Sequence, residues 1–157
     1  MWRVTAVHVN GIDIRYEVLG GRTGTPLILT HGFAGPIDDW RPELLPLAEK
    51  RPLVLYDVRG HGRTTAPQDP GAYSIPLFAS DLAGLLKALG IERAHVGGVS
   101  MGGMITAQFA VDYPQMCESV IISDSTCGNG LGDNPAGDWE RKLRTGIAAL
   151  GYIANKY

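Results

Sequence analysis

The sequence has 157 residues, of which 45% are hydrophobic and 19% are charged, and its formal net charge is −2. This length and apolar content suit one domain with a sizeable core, and the absence of a basic surplus argues against nucleic acid as a partner. No apolar run approaches the ~18 residues that a membrane-spanning helix needs, and the N-terminus lacks the apolar segment of a secretory signal. We therefore expect a cytoplasmic protein that binds neither nucleic acid nor membrane.

The N-terminal residues predict a β-hairpin. Apolar and polar residues alternate from Ile12 to Val18, which is typical of a strand with one face in water. A shorter alternating run precedes it, and the Asn10-Gly11 pair between the two runs suits a two-residue turn in which both residues have positive φ.

The middle of the chain predicts a parallel sheet with helices between its strands. An apolar stripe with helical spacing runs from Phe78 to Leu89, with Ser74 as N-cap and Gly90 just beyond the C-terminus. A second helix is predicted from Met101 to about Tyr113, because Pro114 follows. Uninterrupted apolar runs are typical of strands buried on both faces, and four occur, at 27–29, 53–56, 94–99 and 120–122. Their alternation with helices predicts an α/β fold with a doubly wound sheet.

The segment after the third apolar run carries the strongest chemical signal. Gly98-Val99-Ser100-Met101-Gly102 is a G-x-S-x-G pentapeptide between a predicted strand and a predicted helix. In such a sharp turn the serine hydroxyl is lifted clear of the sheet, and the following backbone amide points toward a developing oxyanion. Phe33, in the glycine-rich turn after an earlier strand, would supply a second amide. The alternative is an ordinary tight turn with a capping serine.

Three ordered motifs resemble the N-terminal half of an α/β-hydrolase-fold serine hydrolase. They are HGFAG, LYDVRGHGRT and GGVSMGG, and the resemblance covers roughly residues 10 to 124. The segment that ends in GGVSMGG is especially similar to the esterase, enol-lactonase and C–C-bond hydrolase branch. Serine at the turn argues against the dehalogenase and epoxide-hydrolase branches, which have aspartate there.

The resemblance implies roles for individual residues. Ser100 would be the nucleophile, the amides of Phe33 and Met101 would form the oxyanion hole, and the residues lining the pocket would be His31, Gly32 and Met104. The implied substrate is a small ester, lactone or ketone. Neither a metal nor a cofactor is expected, because no ligand spacing or cofactor motif occurs in the sequence.

The general base of a serine hydrolase is not evident in the sequence. The family places its histidine after the serine, but the four histidines all precede Ser100, at positions 8, 31, 61 and 95. Asp124, directly after the last predicted strand, is a candidate for the triad acid, and the alternative is a loop cap. Asp57 is expected to be structural, with Arg59 as its candidate partner.

These features predict an incomplete enzyme. Residues 1–124 would form the N-terminal part of the hydrolase core, and residues 125–157 would form the start of a cap or lid. In this cap, Trp139, Leu143 and Ile147 would lie on one helix face. The alternative for residues 125–157 is a disordered tail. The strand at 120–122 would be an exposed apolar edge, open to a missing C-terminal portion or to a second copy. Two other functions stay open, namely an inactive fragment or binding module, and an acyltransferase or perhydrolase.

Overall fold

The computed structural model describes residues 5–21 and 23–126, and their core is one six-stranded sheet. The strand order is β1-β2-β4-β3-β5-β6; β1 and β2 are antiparallel, β2 is antiparallel to β4, and the remaining pairs are parallel. The strands are β1 (Thr5–Val9), β2 (Ile12–Leu19), β3 (Leu27–Thr30), β4 (Leu53–Tyr56), β5 (Ala94–Val99) and β6 (Cys117–Ser123). This mixed sheet confirms the predicted α/β-hydrolase architecture.

The N-terminal hairpin forms as predicted, but one residue of its polar face is buried. Val9 pairs with Ile12 across the turn, and Asn10 and Gly11 have φ values of 49° and 76°, as a type I′ turn requires. Arg15, expected on the wet face of β2, is only 2% exposed. That expectation was wrong because the segment after β4 covers this residue: the Arg15 amide donates to the Thr64 hydroxyl at 2.9 Å, and its guanidinium donates to the buried Asp57 carboxylate at 3.2 Å.

In the part of the chain that the structure describes, three α-helices connect the parallel strands: α1 (Ile37–Leu44), α2 (Ile75–Ala88) and α3 (Met101–Asp112). The hydroxyl of Ser74 accepts a hydrogen bond from the Leu77 amide at 3.3 Å and so caps α2, and Gly90 beyond its end has φ of 69°. Both features were predicted. The sequence did not indicate α1, which is short and contains Pro42.

The two faces of the sheet are covered by different apolar clusters. Alternate residues of a strand point to opposite faces, and in β4 Val54 and Tyr56 join the cluster that contains α2 and α3. Leu53 and Leu55 join a smaller cluster with Ile37 of α1. The carboxyl ends of the parallel strands, where this fold class places its ligands, therefore lie between helices from both faces.

Strand β6 lies at the edge of the sheet and is largely exposed. Val120, Ile121 and Ile122 are 42%, 50% and 48% exposed, whereas every residue of β4 is buried. Burial on both faces is thus confirmed for β4 and wrong for β6, whereas the prediction of an exposed apolar edge strand at 120–122 is met: within residues 5–21 and 23–126 β6 pairs with β5 alone.

Most of the predicted cap lies outside the described residues, of which only Ser125 and Thr126 belong to it. The helix face of Trp139, Leu143 and Ile147 is among the residues that are not described, so the division at 124/125 stays a prediction. Among the helices that are described, none has the length and apolar character to cross a membrane.

Candidate active site

Ser100 occupies a strained turn between β5 and α3. Its φ and ψ are 54° and −118°, a region that non-glycine residues rarely adopt and that is found mainly at functional sites. The residue itself is exposed. A Cβ at Gly98 would lie 2.2 Å from the Gly102 carbonyl oxygen. A Cβ at Gly102 would lie 2.1 Å from the Thr30 carbonyl oxygen. Only glycine fits at these two positions, so the pentapeptide has the spacing that this turn requires.

Two backbone amides that could stabilise an oxyanion flank this turn. Met101 is the first residue of α3, where an amide has no acceptor within the helix. Phe33 lies in the tight turn after β3. A hydrogen bond of 3.3 Å from the Gly35 amide to the Gly32 carbonyl closes this turn. Within the described part of the chain, neither the Phe33 nor the Met101 amide donates to a protein acceptor.

The two turns lie close together. A Cβ at Gly32 would lie 3.4 Å from the Cβ of Ser100, so the turn that carries the Phe33 amide packs beside the serine. The Phe33 side chain is 40% exposed. The structure thus brings together Gly32, Phe33, Ser100 and Met101, four of the residues singled out in the sequence.

His31 supports the Phe33 turn from inside. Its Nε2 accepts the Val58 amide at 2.9 Å, and its Nδ1 donates to the Gly32 carbonyl at 2.7 Å. Burial, with a contribution from nearby His61, lowers the pKa of His31 to about 3, so the ring is neutral. With both nitrogens engaged and 1% exposure, His31 has no lone pair for a substrate or for Ser100.

His61 is the second buried histidine beside this turn. Its ring packs edge-on against Phe33 at 5.8 Å between centroids and lies 5.1 Å from the ring of His31. Its Nδ1 bonds to the Arg59 carbonyl at 3.1 Å, and burial lowers the pKa of His61. Both rings therefore shape the turns around Ser100 in their neutral forms.

The other two histidines lie away from Ser100. His95 is in β5, five residues before the serine, which at ~3.3 Å per residue is about 16 Å distant, and its Nδ1 contacts the Ser119 hydroxyl at 2.7 Å. His8 lies in β1 at the opposite edge of the sheet, 2.8 Å from an oxygen of Asp13. Hydrogen bonds therefore engage His8 and His95 away from Ser100.

Asp57 is structural, but its ionic partner is not the one expected. Its buried carboxylate accepts the amides of Ile37 at 2.8 Å and Arg63 at 2.9 Å, and the guanidinium of Arg15 at 3.2 Å. Arg59 instead forms two 2.8 Å hydrogen bonds with Asp81 of α2. The Ile37 bond places the start of α1, directly after the Phe33 turn.

Asp124 and Met104 complete the predicted site. Asp124 follows β6 with φ of 44°; it is exposed, and its carboxylate accepts the Ser123 hydroxyl at 3.4 Å. Ser123 in turn accepts the Ser100 amide at 3.0 Å, so this loop adjoins the serine. Met104 is half-buried in the first turn of α3. Over the described ranges, no three His, Cys, Asp or Glu side chains are grouped as a metal site would require.

Comparison with known proteins identifies the family of this chain. The model of the alpha/beta hydrolase fold family matches residues 25–157. The chain belongs to the α/β-hydrolase family. Two curated relatives are RutD of Azorhizobium caulinodans, which carries the name of a carbamate hydrolase, and the dihydrolipoyllysine-residue acetyltransferase component of the acetoin cleaving system of Cupriavidus necator. They are 38% identical over 115 residues and 41% identical over 125 residues, which is 73% and 80% of this chain.

This α/β-hydrolase chain spans less than half the length of these relatives, 42% of RutD and 32% of the acetyltransferase component. Among solved structures, Est816, described as an N-acyl homoserine lactone degrading enzyme, superposes with a TM-score of 0.77 at 25% identity. That alignment covers 96% of this chain and 70% of Est816.

Proposed function

We propose that this chain carries the nucleophile and oxyanion hole of a serine hydrolase. Ser100 attacks the substrate carbonyl, and the amides of Phe33 and Met101 hold the oxygen on which negative charge develops. The observation that carries the proposal is the exposed, strained Ser100 beside two amides without protein acceptors in the described residues. Preorganised donors of this kind are worth about 10²–10³ in turnover each.

The general base would come from polypeptide outside these 157 residues, because both ring nitrogens of His31 are bonded elsewhere, His8 and His95 lie away from Ser100, and His61 is buried and bonded to the Arg59 carbonyl. A serine hydroxyl is a weak nucleophile without such a base; in subtilisin, loss of the histidine costs on the order of 10⁶ in turnover. Asp124 stays our candidate for the acid, since it lies in the loop that contacts the Ser100 backbone. Without the base, slow reaction of Ser100 is expected.

The substrate that fits this arrangement is a small molecule with an electrophilic carbonyl, such as an ester or lactone. His31 is buried, so we assign the open surface around Ser100 to Gly32, Phe33 and Met104. The exposed edge of β6 fits a strand from the rest of the enzyme or from a second copy, because it has no strand partner on that side among the described residues and its apolar side chains favour pairing. A protein of this kind would act in the cytoplasm.

An acyl-transfer reaction on the same site is the second candidate. The relative from Cupriavidus necator is named as an acetyltransferase component, and acyl transfer differs from hydrolysis only in what attacks the acyl-enzyme. Product analysis with an alcohol or a thiol competing with water would distinguish them: a transferred acyl group supports transfer, and free acid alone supports hydrolysis.

The test is covalent labelling with a fluorophosphonate, which reacts with an activated serine. We expect slow labelling that mass spectrometry maps to Ser100, that added imidazole accelerates by serving as the base, and that Ser100→Ala abolishes. Ser119→Ala, which removes an exposed serine from β6, is the matched control and should leave the rate unchanged. No labelling of Ser100 with imidazole present would favour an inactive module.

A further inference from the structure

The last residue of β6 and the loop after it hold both backbone groups of Ser100. The Ser123 carbonyl accepts the Ser100 amide at 3.0 Å, and the Ser125 hydroxyl donates to the Ser100 carbonyl at 2.6 Å. The same carbonyl accepts the amides of Gly103 at 3.0 Å and Met104 at 3.2 Å. The side-chain hydroxyl of Ser125 is thus the shortest of three contacts on that oxygen, and the reaction proposed above does not use it.

Gly103 provides the space for this contact. A Cβ at Gly103 would lie 2.4 Å from the Cβ of Ser125 and 2.5 Å from its Oγ. Both distances are far below van der Waals contact. Any side chain at position 103 would therefore push the Ser125 hydroxyl away from the Ser100 carbonyl.

A strained backbone persists only where its surroundings impose it. We propose that Ser125 is a positioning residue for the nucleophile: its hydroxyl ties the Ser100 carbonyl to the end of β6, and so fixes the direction of the Ser100 side chain toward the Phe33 and Met101 amides. This inference rests on the proposed function. It adds the loop after β6 to the parts of the chain that determine the reactivity of Ser100.

The test compares Ser125→Ala with Ser125→Thr in imidazole-supported labelling of Ser100 over a range of fluorophosphonate concentrations. We expect Ser125→Ala to lower the maximal rate about tenfold, the effect of one lost hydrogen bond, with the half-saturating concentration unchanged. Ser125→Thr, which keeps the hydroxyl, should restore the rate. The matched control is Ser119→Ala, because the Ser119 hydroxyl of β6 is also in hydrogen-bond contact with a neighbouring segment, at His95 of β5, but at the other end of these strands from Ser100.

Gly103→Ala gives a second measurement of the same contact. It should lower the maximal rate as Ser125→Ala does, and the double variant should lose no more than the more damaged single variant, because both remove one interaction. Additive losses would contradict the proposal. So would a wild-type rate in Ser125→Ala, no recovery in Ser125→Thr, or an equal loss in Ser119→Ala.

Failure of the proposed function can be recognised separately. If Ser100 is not labelled in the unmodified chain, hydrogen exchange of the Ser100 and Gly103 amides decides the positioning role without any reaction. Faster exchange in Ser125→Ala, with protection recovered in Ser125→Thr, would support it. Unchanged exchange in Ser125→Ala would overturn it.

Discussion

Adding one methyl group at Gly102 should damage the site more than the fold. The new Cβ would lie 2.1 Å from the Thr30 carbonyl oxygen and 2.6 Å from that of His31. Both obstacles are backbone atoms of β3 and the residue after it, so no side chain can rotate away. Contact distances are near 3.5 Å, which means that the start of α3 must move by about 1 Å.

The magnitude follows from two opposing effects on stability and one on reactivity. Overpacking destabilises a protein by about 1–3 kcal/mol, whereas replacing glycine by alanine in a helix stabilises it by up to about 1 kcal/mol. Gly102→Ala should therefore lower the free energy of unfolding by about 1–2 kcal/mol. Displacing the Met101 amide by about 1 Å should slow labelling of Ser100 about 100-fold.

Urea denaturation and imidazole-supported fluorophosphonate labelling measure the two effects. Gly21→Ala is the matched control, because a Cβ at Gly21 meets no atom within 4 Å; it should change neither quantity appreciably. If folded Gly102→Ala labels at the rate of the unmodified chain, the close packing of α3 against β3 does not position the amide, and the reasoning is refuted.

Three further predictions concern stability and association. Because burial lowers the pKa of both His31 and His61, the unfolded chain binds more protons than the folded chain below pH ~6.5. Urea titrations should therefore show that the free energy of unfolding decreases as the pH is lowered, by up to about 1.4 kcal/mol per pH unit for each histidine. A flat profile from pH 7 to 5 would contradict this. Asp57→Asn removes one of the three carboxylates around the buried Arg15, which keeps Glu17 and Asp38 as partners, and it weakens the buried acceptor of two backbone amides; it should cost about 1–3 kcal/mol, against about 1 kcal/mol or less for the half-exposed Asp38→Asn, so equal losses would be evidence against the buried contacts of Asp57. Ile121→Lys should abolish any concentration-dependent association seen by light scattering, since a charge on an edge strand opposes pairing; association that survives it must use another surface.

Local sequence patterns predicted the parts of the fold that depend on neighbouring residues. The Asn10-Gly11 turn, the Ser74 cap and the apolar stripe of α2 are set by residues a few positions apart, and each forms as expected. The turn at Ser100 was predicted for the same reason, because its glycines fall within one pentapeptide.

Contacts between distant parts of the chain were missed. Arg15 pairs with Asp57 across 42 positions, and nothing in the alternation of β2 distinguishes a buried arginine from a solvated one. The Ser125 contact with Ser100 spans 25 positions and depends on the register of β6 against β5. The Gly103 that makes room for it was visible in the sequence, but the atom it accommodates was not.

The most direct test of the central claim is a crystal structure of the chain with a phosphonate bound covalently to Ser100. We expect its phosphoryl oxygen within about 2.7–3.1 Å of both the Phe33 and the Met101 amide nitrogens. A phosphoryl oxygen turned to solvent, or held by neither amide, would contradict the account of Ser100 as a nucleophile with a preformed oxyanion hole.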